Sequence, residues 1–492
     1  MTSMVRTGSS AALAPKIVAC ALLVAAADFL FFDRGVGWTL GLYGMLLLIA
    51  AVLHNPALLA HRRGKALFLL GAGLCLAMVE TVNLLALTLF AVCFGALLSE
   101  VRLQDSALTA FRKLMALTLH IGGGSAFGDL RGYSHYQRRT LNMGIVPGLF
   151  RAWLLPLSLS AVFVVLFAAA NPVIDKWLFS LDWQAVEQFL RPERIAFWGV
   201  GAVMCWGVLR SRRLRAGAWQ SSIEVPMASK IATLLFSREA VLRSLALFNL
   251  MFLGQNLLDA NFLWAGATLP EGVTYAEYAH RGAYPLVLTA LLAAGFVLIA
   301  LRRASPLSRD RTIRALIYLW LLQNMVLVFA SIWRTNIYVA EYSLTYLRLS
   351  ALLWMGLVLL GLMFIVLKIV LAKSSRWLIG VNLATAFALL YASCFLDLGR
   401  FIADYNVAHC REMQGGGYAL DTYYLRQIGP SALPALRRLE QHATEQNLPR
   451  PLNLNWTIEH ITKGLDGELA DWRRWTFRAH RLARELGKPQ TI

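Results

Sequence analysis

Eleven apolar segments of 14 to 26 residues recur along the chain and constrain its fold more than any other feature. They lie at approximately residues 17–32, 38–53, 66–79, 82–98, 150–170, 195–209, 242–258, 283–301, 312–334, 346–371 and 377–396. Roughly 20 apolar residues in a helix span a bilayer, so most of these segments approach that length. The pattern predicts an all-α, polytopic transmembrane bundle of about eleven helices. The short segments 66–79 and 82–98 alternatively form a shallow hairpin around Glu80 and Thr81.

Composition supports the same class. The 492 residues are 58% hydrophobic and only 15% charged, and the mean hydropathy is +0.56. A soluble protein of this size carries more charge, so lipid is the expected solvent. None of the six cysteines forms a Cys-x-x-Cys pair, and buried thiols are expected, with a disulfide between Cys394 and Cys410 as an alternative.

The distribution of Lys and Arg predicts the topology. Basic clusters follow the second, fourth, sixth, eighth and tenth segments, whereas acidic residues are frequent in the alternating connections. Basic connections are typically cytoplasmic, so the N-terminus is expected in the cytoplasm and the C-terminus in the periplasm or otherwise outside. The net charge of +19 is concentrated in these basic connections. It is therefore attributed to topology and contact with anionic lipid, and no nucleic-acid partner is predicted.

Four regions follow from this reading. Residues 1–98 hold the N-terminal membrane helices, 99–149 a cytoplasmic loop with amphipathic segments, 150–396 the main membrane bundle, and 397–492 a small helical tail outside the membrane. The tail is a candidate surface for a membrane or periplasmic protein partner.

Two helices are expected within the tail. Ser431 is predicted to cap a helix that buries Leu433, Leu436 and Leu439. Near the end, apolar and small side chains recur at helical spacing, and Gly487 is predicted to stop this terminal helix. Those side chains are Leu469, Trp472, Thr476, Ala479, Ala483 and Leu486.

Polar side chains within and beside the apolar segments predict an outward-facing pocket. Five of them are spaced four, three, four and three residues apart, as on one face of a helix: Arg334, Tyr338, Glu341, Thr345 and Arg348. Four more are expected at similar depth: Asp28, Glu80, Asn256 and Asp259. Ionisable groups in hydrocarbon persist mainly where they pair or line a wet cavity, so the alternative is a set of charges that locks helices together.

The predicted external loop between residues 259 and 281 carries a second candidate cluster. Tyr275, Glu277, His280 and Arg281 offer an acid, a base and an anion-binding group. The aromatic residues equally fit a belt at the level of the lipid headgroups.

Several short stretches of the sequence, called blocks here, are similar to a bacterial multi-pass membrane family, catalogued as domain of unknown function 4153 or 4173. The blocks are Asn256–Asp259, Thr274–Tyr278, Arg281–Leu286 and Tyr338–Thr345 with Arg348. The resemblance implies a bacterial inner-membrane location but no reaction. It also leads to the expectation of Gly where this chain has Ser343, which suggests a turn with Ser343 capping the next helix.

No motif in the sequence commits the chain to catalysis. Neither HExxH nor GxSxG occurs, and no cofactor or metal site is predicted. Three classes stay open: a noncatalytic sensor, scaffold or envelope-assembly component; a transporter of a small polar or anionic solute; and a membrane-embedded enzyme. No pair of repeats with matching helix breaks is seen, which favours the first class over transport.

Overall fold

The computed structural model describes residues 13–102, 191–209, 238–263, 310–449, 451 and 453–487. Within those ranges the protein is helical, with fifteen α-helices, two short 3-10 helices and no strand. The all-α prediction is confirmed. The chain divides into two compact units, the first within Met1–Gln220 and Glu468–Arg481, the second within Ser221–Gly467 and Leu482–Gln490.

The described part of the first unit contains five apolar helices. They are α1 (Leu13–Phe31), α2 (Thr39–His54), α3 (Arg62–Glu80), α4 (Leu84–Arg102) and α5 (Pro192–Leu209). Helix α1 packs against α5, α2 against α3, and α3 against α4. Leu48, Leu74 and Leu97 are fully buried, so the core of this unit lies among α2, α3 and α4. Asn83 accepts a hydrogen bond from the Leu85 amide at 2.8 Å, which makes the α3–α4 connection a tight turn.

Among the residues described, four long apolar helices belong to the membrane part of the second unit. They are α6 (Arg238–Leu263), α7 (Arg311–Tyr342), α8 (Tyr346–Val370) and α9 (Ser375–Ser393). Over the described residues, these four are long and apolar enough to cross a membrane. The most apolar part of α8 has a mean hydropathy of 2.5 but is only 17% buried, as expected of a helix surrounded by lipid.

The number of membrane helices stays a prediction. Helices α1 to α9 coincide with nine of the apolar segments, including 346–371, which α8 matches almost residue for residue. Segments 150–170 and 283–301 lie outside the residues that the structure describes.

The turn between α7 and α8 corrects one expectation. Helix α7 ends at Tyr342, and Ser343 adopts φ 70° and ψ 168°, a backbone region that is occupied almost only by glycine. The cap of α8 is Thr345, whose hydroxyl accepts from the Arg348 amide at 3.4 Å. Ser343 is therefore not the cap as predicted, because its strained conformation serves to reverse the chain. The turn also interrupts the predicted single helical face from residue 334 to residue 348.

Six α-helices follow in the described part of the tail. They are α10 (Leu398–Ala408), α11 (Arg411–Gln414), α12 (Thr422–Ile428), α13 (Leu433–Glu445), α14 (Leu454–Ala470) and α15 (Phe477–Glu485). Leu433, Leu436 and Leu439 are fully buried on α13, as predicted. Cys394 and Cys410 are separate buried thiols rather than a disulfide.

Two details of the tail differ from expectation. Ser431 does not cap α13, because it lies in the 3-10 turn Pro430–Ala432 and donates to Asp397 at 3.0 Å. The predicted terminal helix is two helices, since the chain leaves helical geometry between Ala470 and Phe477. Asp471 accepts from the Arg473 amide at 3.0 Å, and Thr476 accepts from the Ala479 amide at 3.2 Å. These local hydrogen bonds compete with a continuous helix. The predicted stop is confirmed, since α15 ends just before Gly487, which has φ +66°.

Candidate functional site

Two of the predicted pocket residues form a buried ion pair between α6 and α7. The Arg334 Nη2 atom lies 3.3 Å from Asp259 Oδ2, and the two side chains are only 5% and 4% exposed. Gln255 donates to the other carboxylate oxygen at 3.2 Å, and Arg334 also donates to the Ser331 hydroxyl at 3.3 Å. The pair is thus supported by hydrogen bonds on both sides, as a buried ion pair requires.

Amide side chains continue this polar contact along the same two helices. Gln323 donates to Asn249 at 2.9 Å, and Asn256 donates to the Gln323 carbonyl oxygen at 3.1 Å. Such interhelical bonds hold membrane helices together, each contributing about 0.6 to 2 kcal/mol. The side-chain oxygens of Asn256, Gln323 and Asn324 are buried and accept no hydrogen bond from the residues described.

A second group of predicted residues meets at the α7–α8 turn. The Arg348 guanidinium lies 4.1 Å from the centre of the Tyr338 ring and donates to the carbonyl oxygens of Tyr342 and Ser343. These carbonyls end α7 and lack partners within the helix, so Arg348 acts as a charged C-terminal cap. The Glu341 side chain is exposed.

Asp28 takes partners on α5 in the first unit. Arg194 donates to both of its carboxylate oxygens, with Nε at 2.7 Å, and Trp198 donates at 2.9 Å. Asp33 forms an ion pair with Arg191 in the same region. Asp28 also lines a cavity of ≈ 570 Å³ between α1 and α5, whose other walls include Cys20, Val24, Trp198, Ala202 and Trp206.

Glu80, at the end of α3, binds two arginines of α15. Its Oε1 atom lies 2.9 Å from Arg481 Nη2 and 3.4 Å from Arg478 Nε. The Glu80 side chain is 15% exposed, so both contacts are partly shielded from water. The three-residue spacing of the arginines places them on one face of α15. The spacing of the two arginines is visible in the sequence, but their pairing with Glu80 was not predicted.

The segment before α15 docks onto the connection between α1 and α2. The Trp38 amide donates to the Trp475 carbonyl and its indole nitrogen to the Trp472 carbonyl, both at 2.8 Å. The Trp472 ring lies 6.1 Å from Phe29, and the Arg473 guanidinium stacks on both rings. Backbone, aromatic and charged groups all take part in this contact.

Gly37 makes the contact sterically possible. A Cβ atom at this position would lie 2.4 Å from the Arg474 carbonyl carbon and 2.5 Å from the carbonyl oxygens of Arg473 and Arg474. These are backbone atoms, so no side-chain rotation would relieve the clash. We call the contact of Asp471–Arg481 with Phe29, Gly37, Trp38 and Glu80 the tail clamp.

The remaining predicted positions are distributed as follows. Asp28 and Glu80 belong to the first unit, whereas Asn256, Asp259 and the residues from Arg334 to Arg348 belong to the second. The common polar pocket therefore stays a prediction. The external-loop candidates Tyr275, Glu277, His280 and Arg281 lie outside the residues that the structure describes.

Comparison with known proteins identifies the family without adding a reaction. A family model described as a domain of unknown function (DUF4153) matches residues 17–439. No curated protein and no solved structure is detectably similar to the chain. The matched range begins within α1 and ends within α13, so it contains the ion pairs of Asp28 and Asp259, whereas the two arginines that bind Glu80 follow it. Since the match covers most of the 492 residues, the chain belongs to the DUF4153 family.

Proposed function

We propose that this protein is a noncatalytic sensor or scaffold of the bacterial inner membrane. In this proposal its tail lies outside the cytoplasm and passes the binding of a ligand, or of a membrane or periplasmic protein, to the membrane helices. The observation that carries the proposal is the tail clamp, in which residues 471–481 are held by Phe29 of α1, the α1–α2 connection and Glu80 at the end of α3.

The strength of the clamp suits a reversible contact. A hydrogen bond to a charged group contributes about 1.5 to 3 kcal/mol, and an aromatic pair about 0.5 to 1.5 kcal/mol. Glu80 is partly exposed and Trp472 is 46% exposed, so values toward the lower ends are expected. A ligand that binds with micromolar affinity has about 8 kcal/mol available, so preferential binding to one state is sufficient to open or close the clamp.

Within each unit, the tail contacts connections that are predicted to be external. In the first unit, the clamp meets the α1–α2 connection and the end of α3, both predicted to be external. In the second unit, Asn406 exchanges two hydrogen bonds with Leu344, and Tyr424 accepts from the Tyr346 amide at 2.8 Å. This α7–α8 turn is also predicted to be external by the alternation of basic connections.

Protease protection in spheroplasts tests both the clamp and the orientation. Gly37→Ala is expected to expel the backbone of residues 473 and 474 and to make residues 471–481 more sensitive to trypsin added from outside. The matched control is Gly199→Ala in α5, where an added Cβ has no neighbour within 4 Å. Glu80→Gln, which weakens the arginine contacts without adding volume, is expected to have a smaller effect in the same direction.

Two results would contradict the proposal. If the tail is cleaved only after the membrane is permeabilised, its predicted orientation is wrong. If the tail is as well protected from trypsin in Gly37→Ala as in Gly199→Ala and the unchanged protein, the clamp does not protect the tail in the membrane-bound protein.

Transport of a small polar or anionic solute is a second candidate because of the amide groups between α6 and α7. Buried oxygens of Asn256, Gln323 and Asn324 can accept hydrogen bonds from a solute or from water. Transport predicts solute uptake by reconstituted vesicles that Gln323→Leu abolishes while the protection of the tail is unchanged. Uptake that is the same in vesicles with and without the protein would refute it.

A further inference from the structure

The tail contains a cavity that lies within the second unit. Its volume is ≈ 410 Å³, within the usual range of about 300 to 1,000 Å³ for small-molecule sites. Helix α12 and the beginning of α14 form its walls. The lining residues are Thr422, Tyr423, Arg426, Asn453, Trp456 and Thr457.

Arg426 is held in this cavity by aromatic rings. Its guanidinium carbon lies 4.7 Å from the centre of the Tyr423 ring and 4.9 Å from that of Trp456. Among the residues described, no carboxylate pairs with it. Some other arginines of the tail do have such partners: Arg400 pairs with Glu485, and Arg437 pairs with Glu440. The rings thus fix the position of a guanidinium that pairs with none of the described carboxylates.

The other polar groups of the cavity can both donate and accept hydrogen bonds. Thr457 is only 2% exposed, yet it lines the cavity. Asn453 adopts φ 64°, a left-handed conformation that asparagine tolerates better than most residues, and lies at the same wall. Tyr423 and Trp456 are 59% and 49% exposed, so parts of both rings are open to a ligand.

We propose that this cavity binds an acidic sugar, with its carboxylate or phosphate on Arg426 and its ring against Tyr423. A guanidinium binds both anions through two parallel hydrogen bonds. Hydroxyl groups of a sugar both donate and accept, which matches the Thr and Asn side chains. A bare anion would leave the exposed aromatic surface unused. This inference rests on the proposed function, because the sugar is then the ligand that the tail senses.

Ligand titration of the full-length protein in lipid nanodiscs tests the inference. Glucuronate and glucose 6-phosphate are compared with glucose, inorganic phosphate and acetate by isothermal titration calorimetry. At least one of the two acidic sugars is expected to bind, and glucose is expected to bind roughly tenfold or more weakly. Binding of glucuronate alone identifies a carboxylate ligand, and binding of glucose 6-phosphate alone identifies a phosphate ligand.

Variants of Arg426 give the matched comparison. Arg426→Gln is expected to weaken binding of the acidic sugar roughly ten- to a hundredfold, because it removes one charged contact. Arg426→Lys keeps the charge but lacks the planar guanidinium. Its affinity for the acidic sugar is expected to lie between that of the unchanged protein and that of Arg426→Gln. Arg437→Gln, at a paired arginine elsewhere on the tail, is expected to leave binding unchanged.

Equal binding of phosphate or acetate and of the acidic sugars would overturn the assignment to a sugar, as would unchanged affinity in both Arg426 variants. Absence of binding by either acidic sugar would also overturn it. Such a failure is distinct from failure of the proposed function, because protease protection of the clamp is measured without any sugar.

Discussion

Removal of one charge from the Asp259–Arg334 pair is expected to destabilise the protein strongly, whereas removal of both is not. The variants are Asp259→Leu, Arg334→Met and the combination of the two. Each single change leaves an ionised partner, or the hydrogen-bonding groups around it, in a site that is 5% exposed or less. The double change replaces the pair with apolar side chains between two helices that are already packed together.

The magnitudes decide between these outcomes. At the observed 3.3 Å, and with an effective dielectric constant of about 20, the attraction between the two charges is about 5 kcal/mol. Desolvation costs several kcal/mol for each ion, so the intact pair contributes little net stability. A single change that leaves one charge buried is expected to lower the free energy of unfolding by about 3 to 5 kcal/mol. The double variant is expected to lie within about 1 to 2 kcal/mol of the unchanged protein.

Reversible unfolding in mixed detergent micelles provides the measurement. The four proteins form a double-mutant cycle, in which the coupling energy is the difference between the double change and the sum of the two single changes. Glu341→Gln is the matched control, because it removes a charge from the same helix at an exposed position. Its effect is expected to be within about 0.5 kcal/mol.

Two observations would refute the reasoning. If Asp259→Leu destabilises the protein no more than Glu341→Gln does, the ion pair is effectively solvated. If the free energy of unfolding of the double variant falls by the sum of the two single effects, each side chain is needed for contacts other than the ion pair.

Two further predictions concern the α7–α8 turn and the tail. Ser343→Gly is expected to stabilise the protein by about 1 kcal/mol, because relief of about 1 to 3 kcal/mol of backbone strain exceeds the roughly 0.4 to 1 kcal/mol that glycine adds to unfolded-chain entropy. Ser343→Ala keeps the strain, so equal melting temperatures for the two variants would contradict this account. Burial raises the pKa of the Cys410 thiol from 9.0 to about 11, so the folded protein binds the proton more tightly than the unfolded chain. Its contribution to stability is therefore complete below about pH 9 and is lost as the pH rises toward 11. Alkylation at pH 8 should be much slower in the folded protein than in denaturant, and similar rates would show that the thiol is accessible.

The helices of this protein could be read from the sequence because hydrophobicity is a local property. In lipid, a single spanning segment must satisfy its own backbone groups, which a helix does without help from distant residues. The segment 346–371 and helix α8 agree almost completely for this reason. The same locality made Leu433, Leu436 and Leu439 recognisable as the buried face of α13.

Helix caps and helix breaks were harder to predict, because neighbouring polar side chains compete to accept hydrogen bonds from the same backbone amides. Ser343, Thr345 and Ser431 are all chemically able to cap a helix, and backbone geometry selected only Thr345. The terminal repeat of apolar residues indicated one helix, yet side-chain hydrogen bonds from Asp471 and Thr476 interrupt it. The spacing of apolar residues indicates which face of a helix is apolar. It does not show where side-chain hydrogen bonds to the backbone interrupt the helix.

The sequence by itself thus determined an all-α membrane protein, the positions of its apolar helices and the ionisable residues within them. Only the tertiary structure decided which charges meet. Asp259 pairs with Arg334, 75 residues away, and Glu80 binds Arg481 across 401 residues. The chain has 47 Lys and Arg against 28 Asp and Glu, so every carboxylate has many possible partners in sequence. The choice among them depends on which helix faces come into contact, and that is set by packing between segments rather than by any pattern within one of them.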